Sequence, residues 1–288
     1  LTTLVLGFGG WIDAGEAATG AVRYLVRHLS APRLASIDPE EFFVFTQERP
    51  EVRLTAEEQR VIRWPRSEFF RWQPTDGRPG LLLFSGMEPH QRWRTYSKIL
   101  LDVAEQCGVR RIVSLGALLA DLPHTRPPRV TGRSDDPEWQ TLLEAWGIYR
   151  RPSYQGPTGI STVILDAATQ RNMSYLAFMG QAPNYLQGTE NPAVIQALLS
   201  YVTRLFSLEL DVSQFDEAIK RFRAKCDQAV AQDTSVQAHV RQLEQEYDAT
   251  VDEEPQTLHD EELNPQQLMQ ELEDFLRKER EGGSEGST

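Results

Sequence analysis

Lysine is scarce in this chain. Its 288 residues include only Lys98, Lys220, Lys225 and Lys278, and only the first of these falls within positions 1–206. That leaves little support for chemistry that rests an amine on a phosphate or forms a Schiff base. Cysteine is nearly missing as well. Cys107 and Cys226 lie far apart in helical contexts, as free thiols of a reducing compartment do. No apolar run approaches the ~18 residues of a membrane span. No charged-then-apolar leader opens the sequence. The expected location is therefore the cytoplasm, with no membrane partner.

A basic excess is also missing. The net charge is −12, and it is unevenly placed. Residues 1–206 carry 21 acids and 22 bases, whereas residues 207–288 carry 21 acids and 8 bases. Neither part has the cationic surface that nucleic-acid phosphates require, so no nucleic-acid partner is expected. Several catalytic signatures are missing too. The one GxSxG match, "GGSEG" at 282–286, falls in the glycine-serine tail and follows no strand pattern, so no nucleophile elbow is expected. No HxH or HxxxH spacing supports a metal site, and no metal is expected. "GFGGWI" fails the dinucleotide fingerprint because Ile12 stands where its last glycine belongs. No cofactor is expected.

What is present is an alternation of short apolar strands and helices, the pattern of a mainly parallel sheet covered on both faces. Residues 3–7, "RLASI", "GLLLFSG", "RRIVSLG" and "SYLAFM" read as strands. Helical spacing marks the stretch after Asp13, residues 92–107, residues 136–146, "GPTGISTVILDAATQRN" and residues 192–206. "FFVFT" and "RVIRWP" read as a two-stranded excursion, an insertion over about residues 40–66. The expected fold is an α/β three-layer core over residues 1–206. An acidic, lid-like helical segment follows over 207–280, with a flexible tail at 281–288. The stripe of that segment runs through Phe215, Ile219, Phe222, Cys226, Val230, Val236, Val240, Leu243 and Tyr247, with a break near Asp233. Asn264 and Pro265 open a further helix carrying Leu268, Leu272 and Phe275. The segment is expected to settle by Phe215, Phe222, Leu243 and Phe275 on the core or on a neighbouring subunit.

The distinctive residues cluster after strands. "GGWIDAG", "GMEPHQRWR", "GALLADLPHTRP" and "GQAPNYLQG" each follow one. In an open parallel sheet such loops share an edge, the usual place for ligands. Gly10, Trp11, Asp13, Arg92, Thr158 and Asn184 are the candidate ligand contacts. Asp121, His124 and Glu88 are the candidate catalytic groups. Asp13, Glu88, Asp121 and His124 are expected to face one cavity. Plainer readings stand beside these. Asp13 suits a helix cap. Glu88 suits an ion pair with Arg92 or Arg94. His124, held between Pro123 and Thr125, suits either proton transfer or a structural hydrogen bond. "YQGPTGI" offers backbone N–H groups at a helix start to an anion, or forms a packed turn.

These residues carry a resemblance. "GWIDAG", "GMEPHQRWR", "LGALLADLPHTRPPRVTG" and "YQGPTGI" resemble the bacterial, actinobacterial-type branch of the proteasome assembly chaperone 2 family. "IDPEEFFVFTQERP" and "RQLEQEYD" resemble its hairpin and helical tail, so the likeness covers nearly the whole chain. It implies a sandwich similar to nucleoside phosphorylases and related hydrolases. It also implies a hairpin used in oligomerisation, with a trimer favoured, and a helical element over a ligand pocket. It brings no established reaction. Asn184 departs from the histidine the family tends to carry. Two functions follow as expectations: a small-molecule site of hydrolase or phosphorylase type at the strand ends, or a protein-interaction and assembly factor without catalysis. A water-filled concavity with convergent polar groups would favour the first. A filled one beside an exposed apolar patch would favour the second.

Overall fold

The computed structural model describes residues 2–151 and 154–251. Strands β1 (Thr2–Gly9), β6 (Leu81–Met87), β7 (Val109–Ala120) and β9 (Ser174–Pro183) run parallel at the centre of a seven-stranded sheet. β2 (Arg33–Ser36) and β5 (Ser67–Trp72) complete one side and β8 (Val130–Ser134) the other, in the order β2-β5-β6-β1-β7-β9-β8. β5 and β8 are antiparallel to their inner neighbours.

Side chains of the central strands alternate between two cores. On one face, Val5, Leu83, Val113, Leu115, Leu176 and Phe178 pack under α1 (Ala17–His28) and α5 (Pro192–Phe206). α3 (Pro137–Ala145) covers β8 on that face through Trp139 and Leu143. On the other face, Leu4, Leu6, Phe8, Leu82, Phe84 and Ile112 pack under α2 (Trp93–Gln106) and α4 (Ile160–Thr169). This is the expected three-layer sandwich. Gly7 sets the closeness of the first layer, since a Cβ there would lie 2.8 Å from the Ala18 carbonyl oxygen in α1.

The excursion differs from its expected form. The ribbon is β3 (Glu51–Leu54) paired with β4 (Arg60–Arg63), and "FFVFT" is not one of its strands. Phe42 and Phe43 are buried with Tyr96 and Leu100 beneath the sheet. Their backbone turns there, with both N–H groups donating to the Pro39 carbonyl and that of Val44 to Nδ1 of His90. Burying two phenylalanines is worth ~1.5–3 kcal/mol each, more than an exposed ribbon could return. β5 and β8 were not expected. "SEFFRW" lies just past the expected excursion and was assigned to no element, and "VTGRS" hides behind prolines.

The acidic segment forms α6 (Asp216–Val230) and α7 (Thr234–Val251). The break falls at Asp233, whose carboxylate accepts from the N–H groups of Ser235 and Val236 at the start of α7. Ile219, Cys226, Val240 and Leu243 are buried. Phe215 packs on Tyr24 of α1 with ring centroids 5.0 Å apart. The pair thus lies on the chain's own core. The expected helix at Asn264 and Pro265, the stripe of Leu268, Leu272 and Phe275, and the tail lie outside the described residues.

Candidate functional site

The loops after β1, β6, β7 and β9 leave the sheet at one edge, as their parallel course requires. Asp13, Glu88 and His124 there are drawn to backbone groups or side chains of the helices above, whereas Arg92 and Asp121 meet loop residues and Thr158 stays exposed.

Asp13 caps α1. Its Oδ1 accepts from the N–H groups of Ala18 (2.7 Å) and Thr19 (3.2 Å), and its Oδ2 from the Thr19 hydroxyl (2.6 Å). Burial nevertheless holds its carboxyl above the usual aspartate value, against the pull of these bonds. Gly10, at φ +125, lets the chain turn beside Glu88, whose Cβ would lie 3.1 Å from a Cβ at that position. Trp11 is exposed.

Glu88 sits on the opposite face, at the start of α4. Its Oε1 accepts from the Ile160 N–H at 2.8 Å. The anion at this helix start is therefore the protein's own carboxylate, which complements the partial positive charge of the helix end. Arg92 does not pair with it. Arg92 stands at φ +57 ahead of α2 and makes an ion pair with Glu41. Thr158 is exposed just before α4.

His124 is the most enclosed of the candidates, its side chain 1% exposed. The Tyr185 hydroxyl accepts from its backbone N–H at 2.7 Å and lies 2.7 Å from Nδ1. A carboxylate only accepts, so Nε2 donates to Asp227, and in the neutral ring the Tyr185 hydroxyl then donates to Nδ1. That places the ring hydrogen on Nε2, 3.0 Å from Oδ1 of Asp227 in α6. Burial pushes the Tyr185 hydroxyl up to about 12, so the phenol keeps this proton at neutral pH. Asp121, exposed, accepts from the side-chain amide of Asn184.

The rest of the proline-rich loop fastens α7. Arg126 pairs with Glu244 (3.3 Å) and Asp248 (2.7 Å), and the Thr125 hydroxyl donates to Glu244 (2.5 Å). The Tyr247 hydroxyl donates to the Pro127 carbonyl at 3.0 Å, and the Arg129 guanidinium lies 4.3 Å from the centroid of that ring. Pro123, Pro127 and Pro128 fix the loop's backbone for this set of contacts.

Asp13, Glu88, Asp121 and His124 thus share a sheet edge without facing one cavity. Asp13 is tied to one helical layer and Glu88 to the other, and the concavity beside His124 holds only about 10 Å³. Tyr185, Asp227 and Glu244 went unnoticed in the sequence. Tyr185 was visible as the aromatic in "APNYL", but nothing local marks Asp227 or Glu244 among the other acids of their helices. Among the described residues no group of three or more His, Cys, Asp or Glu is arranged to hold a metal ion. No helix among them is long and apolar enough to cross a membrane.

Fold and edge define a class: an α/β sandwich whose strand-end loops are clasped by helices from its own C-terminal part. The chain belongs to the PAC2 family, whose sequence model matches residues 7–230. Its similar solved structures place it in the bacterial, actinobacterial-type branch. A PAC2 family protein from Streptomyces avermitilis is 31% identical, with TM-score 0.75, over 83% of this chain and 100% of that one. A proteasome-assembly chaperone homologue from Mycobacterium tuberculosis is 30% identical, with TM-score 0.73, over 83% of this chain and 99% of that one. The Pyrococcus furiosus protein PbaB, an archaeal proteasome activator, shares the fold at 20% identity and TM-score 0.65, over 79% of this chain and 93% of that one. The chain matches no curated protein.

Proposed function

We propose that this protein is a cytoplasmic protein-interaction factor of the assembly-chaperone type, acting as a homo-oligomer and without catalysis. One contrast carries the reading. Most of the polar groups at the strand ends are engaged within the protein, while the β3–β4 ribbon from the same edge exposes Val52, Leu54, Val61 and Ile62, with Trp64 exposed just after it. An active site needs a polar group free to meet a substrate. A two-stranded ribbon with apolar side chains in water needs a covering surface. The similarity to a mycobacterial proteasome-assembly chaperone homologue supports the same class.

The ribbon is assigned to contact with further copies of the chain in a closed ring, a trimer being favoured. Light scattering on the full chain tests this. The wild type should run as a trimer, and Ile62→Asp should shift it to monomer without loss of helix signal. A monomeric wild type at high micromolar concentration overturns the assignment.

A second reading keeps a ligand at this edge, of the hydrolase or phosphorylase type. It is favoured by the exposure of Asp121 and of Trp11 beside Gly10 and Glu88. Metabolite capture on the purified protein separates the two. A retained small molecule released by Asp121→Ala supports the ligand site, and an empty protein supports the assembly factor.

A further inference from the structure

A groove of about 490 Å³ lies at the opposite edge of the sheet, where the parallel strands begin. None of the candidates described above lines it. Its walls come from the end of β5, the starts of β6 and β7, α3 and the end of α5. The volume falls in the range of small-molecule pockets.

Its lining has two parts. Trp72, Leu81, Trp139 and Leu208 supply an apolar surface, with Trp139 5% and Leu81 2% exposed. Arg78 and Arg111 supply positive charge. Both arginines are held in place. Arg78 donates from Nη1 to the Ser207 carbonyl at 2.8 Å and from Nε to Asp76 at 2.6 Å. The Arg111 guanidinium carbon lies 5.4 Å from the Trp139 ring centroid, and the group pairs with Glu138. A guanidinium has five N–H donors. Among the described residues two are engaged on Arg78 and one on Arg111, so both keep donors for a ligand. Glu138 is 74% exposed, so it competes weakly for Arg111.

We propose that this groove binds a small amphipathic carboxylate. Its hydrocarbon or aromatic body lies along Trp72, Leu81, Trp139 and Leu208, and its head group takes the free donors of Arg78 and Arg111. An uncharged molecule of the same shape gains the apolar contact but not the charge-assisted bonds to the free donors of the two guanidinium groups. The site stands apart from the ribbon and the clasped loops, so its fate is independent of the assembly reading.

Calorimetric titration of the full-length protein with octanoate and with octanol tests the proposal. Octanoate should bind saturably and at least about tenfold more tightly than octanol, the discrimination of one charge-assisted hydrogen bond. Arg111→Ala and Arg78→Ala should each reduce that preference several-fold. The wild-type comparison needs no variant, so a variant that misfolds leaves the test intact. Equal affinity for the acid and the alcohol overturns the proposal. So does the absence of saturable octanoate binding, or a preference that survives both substitutions.

Discussion

His124 and Asp227 meet across 103 positions of the chain, Nε2 of the one standing 3.0 Å from Oδ1 of the other. The pair joins the loop after β7 to α6, and Tyr185 completes it from the loop after β9. The first role of this histidine is thus to hold the C-terminal helices on the sheet edge.

Replacing His124 with alanine should therefore loosen α6. It removes a buried ring and leaves the Tyr185 hydroxyl without its acceptor. The expected loss is ~1–3 kcal/mol in urea unfolding. Asp227→Asn still offers an oxygen to Nε2 and should cost less than half as much. Equal losses would show that the charge of Asp227, not the buried ring, carries the tie.

Salt should act mainly on α7. Its charged ties to the loop are the ion pairs of Arg126 with Glu244 and Asp248, at a guanidinium whose side chain is 32% exposed. Such pairs are screened at about 1 M ionic strength, where the Debye length is ~3 Å. Amide hydrogen exchange over residues 234–251 should speed up from low to high salt in the wild type and less so in Arg126→Ala. The central strands should exchange at the same rate throughout. An α7 that exchanges as slowly as the sheet in all conditions is a fixed cap.

Glu88 offers a clean test of charge at a helix start. Glu88→Gln keeps the acceptor for the Ile160 N–H and removes the charge, at an expected ~0.3–1 kcal/mol. Glu88→Ala also strands the N–H and should cost more, ~1–2 kcal/mol. Two values near zero in thermal or urea unfolding would assign Glu88 no role at the helix start.

Two aspartates should respond to pH in opposite senses. Burial holds Asp13 above its ordinary 3.8, so its contribution is fully present below that value and is lost as pH rises through the raised one. A hydrogen bond from Ser174, helped by the N–H groups of Glu138 and Trp139, holds Asp136 below 3.8. Its contribution is present above 3.8 and lost as pH falls through the lowered value. The stability difference between wild type and Asp13→Asn should fall with rising pH. The difference for Asp136→Asn should rise with pH and level off. Urea unfolding from acid to neutral pH reads both.

The central strands could be read from the chain because a strand buried on both faces is a continuous apolar run. Leu81–Phe84 and Leu176–Phe178 leave no polar face to confuse the pattern. The same logic misread Phe42–Phe45. Four β-favouring side chains in a row say that a segment is buried, not that its backbone pairs, and here the N–H groups of residues 42–44 are met by turns and by His90. The cap role of Asp13 was legible because capping is local. The partners of His124 lie 61 and 103 positions away, beyond any pattern along the chain. The same distance hid the match between Arg126 and Glu244.

The clasp also orders events during synthesis. His124, Thr125 and Arg126 leave the ribosome roughly a hundred residues before Asp227, Glu244 and Asp248. At ~5–20 residues per second that interval lasts about 5–20 s. Through it the sheet can close while its proline loop waits for helices not yet made. The loop's stiffness then acquires a temporal meaning: it preserves the shape of a seat for an occupant that arrives last.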